Sequence, residues 1–551
     1  MLKAVLPFVL LVSACGVRLV DATDDEFDNS TQLESELTSW GSLVGVWKGE
    51  SGPFTWVTFQ RTVDSVGHHY LAQVGATAEA GRFTVSGAAL TFRSAGVTRS
   101  YRLQRPSAGE GVLVNAVGAK VGTLVRMPSR VSECQGLVCP AVVACTERFD
   151  GSHCEAPVVV HSRSQALNAD GVLVLNGTKV FPIGFTMPPP PDALAPNGKN
   201  AIAELRSAGA TFLRTGPIGT GWTEASFTRE QQWQDQAFAN GMHTWLYLKE
   251  AASVAGVGSA QEQLLRRIVN TFSGHPGLGV YKGEDEPAWG KRPVAPMMNA
   301  YDLVRLLDPK HPLTLIQAPR NTLAELSAYN EAADIVGTDI YPVSDPMGVN
   351  SHLPNHELSV VGDYTDRMRQ VATDQLSVWM TLQIAWSGIL PPHARVMPTL
   401  RQERYMTYQA IIHGARGLFF FGGHMPVGWE GTDAQFGWSW TFWNNALKPV
   451  VSEIGEFSPL YPALVAPNSS RPVRIFGDFH GIEYVLREVG GELFVIAARR
   501  NQGSVTVTFK GLPAGVSQGE VLYEGGRTVA IKDGSFTDSF GEWDVHVYRF
   551  R

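Results

Sequence analysis

Between residues 172 and 421 the chain alternates short apolar runs with longer segments of helical spacing. The runs fall at 180–185, 211–214, 243–248, 278–286, 313–316, 335–339, 378–383 and 417–421. Helical segments at 201–208 and 231–240 close on Gly209 and Gly241, and a third follows at 261–272. Strands that alternate with helices suggest parallel pairing, because each crossover returns the chain to the end of the sheet where the strand before it began. Eight such units over roughly 290 residues suit a closed (β/α)8 barrel. A doubly wound open sheet is the alternative, but it would carry a phosphate-binding glycine fingerprint after its first strand, and none is present.

The barrel is expected at 166–468, and what flanks it reads differently. Residues 38–130 contain short strand-like runs at 54–59, 82–85, 89–92 and 122–126 separated by glycines, which favours an all-β domain. Residues 469–551 alternate apolar and polar positions at 481–486, 492–497, 504–509 and 544–548, as the strands of a small antiparallel sandwich do. The fold class is therefore α/β, a barrel between two all-β domains. A chain of 551 residues is too long for one core and accommodates three. The net charge of −7 carries no basic excess, which argues against nucleic acid as a partner.

The first residues read as a targeting segment. Lys3 precedes an apolar run from Ala4 to Val12, too short to span a bilayer as a mature helix. Val12-Ser13-Ala14-Cys15 resembles a bacterial lipobox, which implies a signal peptide over 1–14 and a lipid on Cys15 that anchors the protein to a membrane. Residues 15–37 then form an acidic tether. An ordinary signal peptide cut nearby is the alternative. The expected location is the outer membrane or cell surface, otherwise secreted. Cys134, Cys139, Cys145 and Cys154 crowd into a connector at 131–165, and in an exported chain four such residues suggest two disulfides. No paired Cys-x-x-Cys supports zinc there.

Chemistry is expected at the carboxyl ends of the barrel strands. The fourth run ends in Glu284, Asp285 and Glu286, then Pro287 and Trp289. Three adjacent carboxylates crowd like charges, which raises at least one pKa and can keep an acid protonated near neutrality. The other strand ends contribute Arg214, Asp339 with Tyr341, and Gln383 with Trp386. A loop after the eighth carries His424, Trp429, Glu430, Asp433, Trp438, Trp440 and Trp443. Carboxylates, hydrogen-bonding groups and flat rings at one rim suit carbohydrate. His243, His275, His311, His413 and His424 show no metal-binding spacing, so neither metal nor cofactor is expected.

Asn176-Gly177 ahead of Phe181-Pro-Ile-Gly-Phe185, Ala210-Thr-Phe-Leu-Arg214, the stretch from Tyr281 to Pro287, and Asp339-Ile-Tyr-Pro342 together resemble the clan of (β/α)8 glycoside hydrolases that includes cellulases, mannanases and β-galactosidases. Gly45-Val46-Trp47 resembles the start of lipocalin-like domains in bacterial lipoproteins. The barrel resemblance implies hydrolysis of β-linked glycans with Glu286 as acid/base. It also implies that Arg214 supports the site and that Tyr341 neighbours the reacting carbon. Trp289, Trp386 and Trp440 would line subsites, with Asp285 and Gln383 as further substrate contacts. The chain departs from the clan at strand seven, where the nucleophile is a glutamate and Gln383 stands instead. An amide is a poor nucleophile. Asp339, or else Glu284, would then complete the pair. Inversion would follow if water fits between carboxylates more than about 6.5 Å apart. Otherwise the barrel binds glycans without cleaving them.

Overall fold

The computed structural model describes residues 45–126, 144–155 and 164–551, less 65–66, 75–76, 87, 95–96, 108–109, 149–150, 165, 218, 220, 374, 385–395 and 478–480. The signal peptide, Cys15, the tether, Cys134, Cys139 and Trp386 lie outside the described residues. The chain divides into two compact units, Met1–Val160 and His161–Arg551.

In the first unit, eight strands from β1 (Gly45–Ser51) to β8 (Lys120–Arg126) form a closed antiparallel barrel in sequence order. Each strand pairs with the next, and β1 closes on β8 through Trp47 opposite Arg126. Closure leaves no open sheet edge. Trp47, Phe54, Phe83, Phe92, Leu113 and Leu124 fill the interior, with the Phe54 and Phe92 rings 4.9 Å apart. A separate hairpin, β9 (Ala144–Arg148) and β10 (Gly151–Glu155), places Cys145 opposite Cys154 in backbone register.

The second unit opens with a hairpin, β11 (Leu173–Leu175) against β12 (Thr178–Val180). The apolar run expected as the first barrel strand is thus divided. Pro182 has no N–H to continue the pairing, and the barrel strand β13 begins only at Ile183–Thr186. The parallel strands follow as β14 (Phe212–Thr215), β15 (His243–Tyr247), β16 (Leu278–Asp285), β17 (Leu313–Gln317), β18 (Ile335–Asp339), β19 (Ser377–Gln383) and β20 (Gly417–Phe421). They close into one barrel when β20 pairs with β13.

Its interior is largely aromatic. Phe212, Trp245, Trp379 and Phe419 point inward with Val280, Ile316 and Ile335, and Leu173, Leu175 and Val180 of the hairpin join the same cluster. Trp245 lies 4.2 Å from Phe419, centroid to centroid, and Trp379 stacks on Phe419 at 5.6 Å. Rings of this size fit only where the neighbouring strands are thin. A Cβ on Gly184 would come within 2.6 Å of the Phe419 ring, and one on Gly417 within 2.9 Å of Trp379. Residues of the opposite phase face the helices, as Tyr281 does when its hydroxyl donates to Asp308 at 2.8 Å.

The C-terminal sandwich comprises a three-stranded and a five-stranded sheet, numbered in chain order from β21 (Arg474–Phe476) to β28 (Val545–Phe550). Its sheets enclose Val495, Phe509, Phe536, Phe540 and Tyr548. Charged groups fasten it to the barrel helices. Arg500 bridges Asp363 and Glu483, both at 2.7 Å, and Arg404 reaches Glu453 at 2.8 Å while donating to the Val545 carbonyl. His413 sits between Asp366, 2.8 Å from Nδ1, and Glu483, 3.3 Å from Nε2.

Burial alone would lower the pKa of His413, but the two carboxylates outweigh it and lift it to about 9 from 6.5. Between those values the folded protein holds a proton that the unfolded chain releases. Stability from this group is therefore complete below pH 6.5 and lost as pH rises through about 9, worth about 3 kcal/mol at most. Chemical denaturation across that range should show the decline in the native protein and a flatter profile in His413→Gln.

Candidate functional site

One turn above the aromatic layer, towards the carboxyl ends of the strands, the same inward phase delivers charged groups. Arg214 follows Phe212, Tyr247 follows Trp245, and Lys282 follows Val280. Arg214 and Lys282 are both buried, at 5% and 3% exposure. Both cations lie against the Tyr247 ring, the Arg214 guanidinium carbon at 4.8 Å and Lys282 Nζ at 4.4 Å from its centroid. Two buried cations this close demand an anion.

Asp285 supplies it. The register of β16 against β17 shifts between Lys282 and Asp285, and this bulge breaks the strict alternation. Lys282 Nζ donates to Asp285 Oδ1 at 2.5 Å. The Asp285 side chain still keeps 50% of its surface open at the barrel mouth. Burial pushes its carboxyl up, but Lys282 and Arg214 outweigh burial and hold it below its usual value. Asp285 is a carboxylate.

Its neighbours are driven the other way. Burial, then the charge of Asp285, pushes Glu286 up, against an opposing hydrogen bond with Asp339. Asp339 is raised well above the ordinary range by burial and by the charges of Glu286 and Asp285, and its Oδ1 is enclosed with no ordinary donor facing it. Glu286 and Asp339 are therefore both driven towards their neutral forms and compete for protons. Glu284 is also raised by burial, opposed by Arg292 and Lys282. Tyr341, buried and stacked on Phe421 at 5.5 Å, is held as a phenol against Asp339. His424 is pushed down to about 4 by burial and the Arg214 charge, so it is a neutral imidazole. The backbone is strained here as well: Met187, Lys249 and Glu286, just beyond β13, β15 and β16, have φ of 50°, 52° and 46°.

Several sequence expectations change in three dimensions. Gln383 does not face the mouth. It is fully buried, its Oε1 accepting from the Val343 N–H and its Nε2 donating to the Val343 carbonyl, each at 2.8 Å. The amide satisfies the backbone N–H and C=O of one residue, donating to one and accepting from the other, and the clamp fixes the loop that carries Tyr341. Trp440 is 1% exposed and lies 5.0 Å from Trp438, which packs edge-on against Phe185 with Trp443. Three of the four loop tryptophans are thus core, while Trp429 donates to the Gly423 carbonyl. Trp289 is open, at 57% exposure, with the Arg320 guanidinium 5.7 Å from its ring. Lys282 and Tyr247 went unselected in the sequence, although two-residue alternation from Val280 and Trp245 points to them.

No protein-family model and no curated protein matches this chain. It is similar to solved glycoside hydrolases. One is a family 5 glycoside hydrolase from Bacteroides vulgatus, with 12% identity over 71% of this chain and 94% of that one, TM-score 0.47. Another is a family 30 endoxylanase from Clostridium papyrosolvens, with 11% identity over 68% and 97%, TM-score 0.41. A third is an α-amylase from Geobacillus thermoleovorans complexed with acarbose, with 10% identity over 67% and 98%, TM-score 0.44. At these values no residue role passes from those proteins to this one. The barrel itself is established by its own closed, parallel hydrogen bonding.

Two substitutions test the site's construction. Gln383→Glu should set a carboxylate against the Val343 carbonyl and cost about 1–3 kcal/mol or more in denaturant unfolding, with no gain in hydrolysis. Unchanged stability would show that the clamp does not hold the loop. Asp339 has a folded pKa above its unfolded 3.8, so its contribution falls as pH climbs through the folded value. Asp339→Asn should raise Tm at neutral pH and flatten that decline. Earlier melting would mean that the carboxyl is structurally paired.

Proposed function

We propose that the protein is a glycoside hydrolase that cleaves O-glycosidic bonds of a β-linked poly- or oligosaccharide. One observation carries this reading: adjacent carboxyl groups at the barrel mouth are driven in opposite directions, Asp285 down by Lys282 and Arg214 against its burial and Glu286 up by burial and the Asp285 charge. Acetal cleavage needs such a pair, an acid for the leaving oxygen and an anion for the positive charge that develops on the sugar. Glu286 gives its proton to the leaving oxygen as the C–O bond breaks. Asp285, anchored by Lys282 and Arg214, stabilises the cationic carbon. Water then adds to that carbon and returns its proton to the Glu286–Asp339 pair. Trp289 offers an open ring to a sugar face. The reading includes export with a lipid on Cys15, which the lipobox resemblance supports.

The competing reading, a cell-surface barrel that binds glycans without cleaving them, is favoured by Gln383, where the clan's nucleophile is absent. A hydrolysis screen on β-linked glycans separates the two. Glu286→Gln should lower kcat by about a hundred- to ten-thousand-fold. Asp285→Asn should cost about a hundred-fold. The rate should fall on the alkaline side as Glu286 loses its proton and on the acid side as Asp285 gains one. Lys282→Met removes the cation that keeps Asp285 ionised, so its acid limb should move to higher pH. Wild-type silence with retained glycan binding would favour the non-catalytic barrel.

A further inference from the structure

The loops after β16, β17 and β18 hold a group of cations in a protein whose net charge is −7. Lys291 and Arg292 follow Trp289, Arg320 follows β17, and Arg367 lies on the helix Val360–Ala372. Beside Arg320 and Arg367 is a cavity of about 290 Å³ whose walls include both arginines, His352 and Tyr364.

These side chains are held in place. Arg320 Nη1 contacts His352 Nε2, and Arg367 Nη2 donates to the Asn321 carbonyl. Tyr364 donates to the Pro319 carbonyl at 2.6 Å and accepts from the His352 N–H at 3.0 Å, tying the two loops together. The one acid in the wall, Glu325, is turned to its own helix start, accepting from the Thr322 N–H at 2.7 Å and the Thr322 hydroxyl at 2.9 Å. Two guanidinium groups, those of Arg320 and Arg367, remain in the cavity wall. Arg320 also connects the cavity to the mouth, since it lies against Trp289 and its charge reaches Glu286.

We infer that the rim cavity walled by Arg320, Arg367 and His352 beside Trp289 is a subsite for a negatively charged sugar, one bearing a carboxylate or a sulfate. Planar guanidinium groups match either oxyanion, and the volume, at the small end of ligand sites of about 300–1,000 Å³, suits one sugar unit. The open Trp289 ring leads from that unit towards Asp285 and Glu286. This inference rests on the glycosidase reading and specifies its substrate as an acidic glycan.

Calorimetric titration of the full-length Glu286→Gln protein tests it without turnover. The probes are a β-linked oligouronate, a sulfated β-glucan oligosaccharide and a neutral β-glucan oligosaccharide of equal length. An acidic probe should bind about ten-fold more tightly than the neutral one, and the preference should shrink as salt is added. Which acidic probe is preferred distinguishes carboxylate from sulfate. Arg320→Gln and Arg367→Gln, each added to that background, should bring the preference towards one, whereas Arg367→Lys should keep part of it. Thermal melts verify folding, and Arg320→Gln remains informative if loss of the Arg367–Asn321 contact unfolds the loop. Equal binding of acidic and neutral probes, or a preference that survives both arginine substitutions, overturns the subsite and leaves the glycosidase reading standing. Binding of no probe overturns both.

Discussion

The mouth of the barrel depends on the contact between Lys282 and Asp285. A lysine buried to 3% exposure inside a ring of strands requires a partner, and Arg214 beside it doubles the requirement. Asp285 answers both cations while half of its side chain stays open. Its fixed negative charge then acts on the groups around it, pushing Glu286 and Asp339 towards their protonated forms. Burial of those two groups, the larger cause, acts in the same direction. Without the cations beneath it, Asp285 would join its neighbours in competing for protons.

That pair stands on an apolar floor. Trp245, Trp379, Phe419 and Phe212 fill the barrel below it, and the β11–β12 hairpin contributes Leu173, Leu175 and Val180 to the same cluster. Charged groups above and aromatic rings below follow from one two-residue alternation read along several strands. The bulge in β16 is where this alternation gives way, and it brings Asp285 within reach of Lys282. The positive φ of Glu286 immediately afterwards is part of the same local departure from regular strand geometry.

Gln383 and the loop tryptophans show how a residue's position along the chain differs from its role. Gln383 ends the seventh strand, as a nucleophile would, yet both ends of its amide are taken up by Val343. The position has become a clamp on the Tyr341 loop. Trp438, Trp440 and Trp443 looked like sugar platforms because they cluster near glycines, but their rings pack around Phe185 and one another. Burial of a large ring contributes more stability than its exposure, so a loop rich in tryptophan commonly folds inward. Trp289 is held outside on a short turn after Pro287 and stays available.

Alternation of apolar runs with helical segments was enough to specify the eight-stranded barrel, its all-β flanks and the strand ends that carry Arg214, Glu284 to Glu286 and Asp339. Such periodicities are local and survive in the linear order of residues. Which of three adjacent carboxyls keeps its charge was decided only in the tertiary structure. The deciding cation, Lys282, acts through a bulge that no local pattern announces, while Arg214 and Asp339 arrive from distant strands. The same holds for Gln383, whose partner lies forty positions away. Charge and hydrogen-bond satisfaction are settled between elements, because burial and distance exist only once the strands have closed.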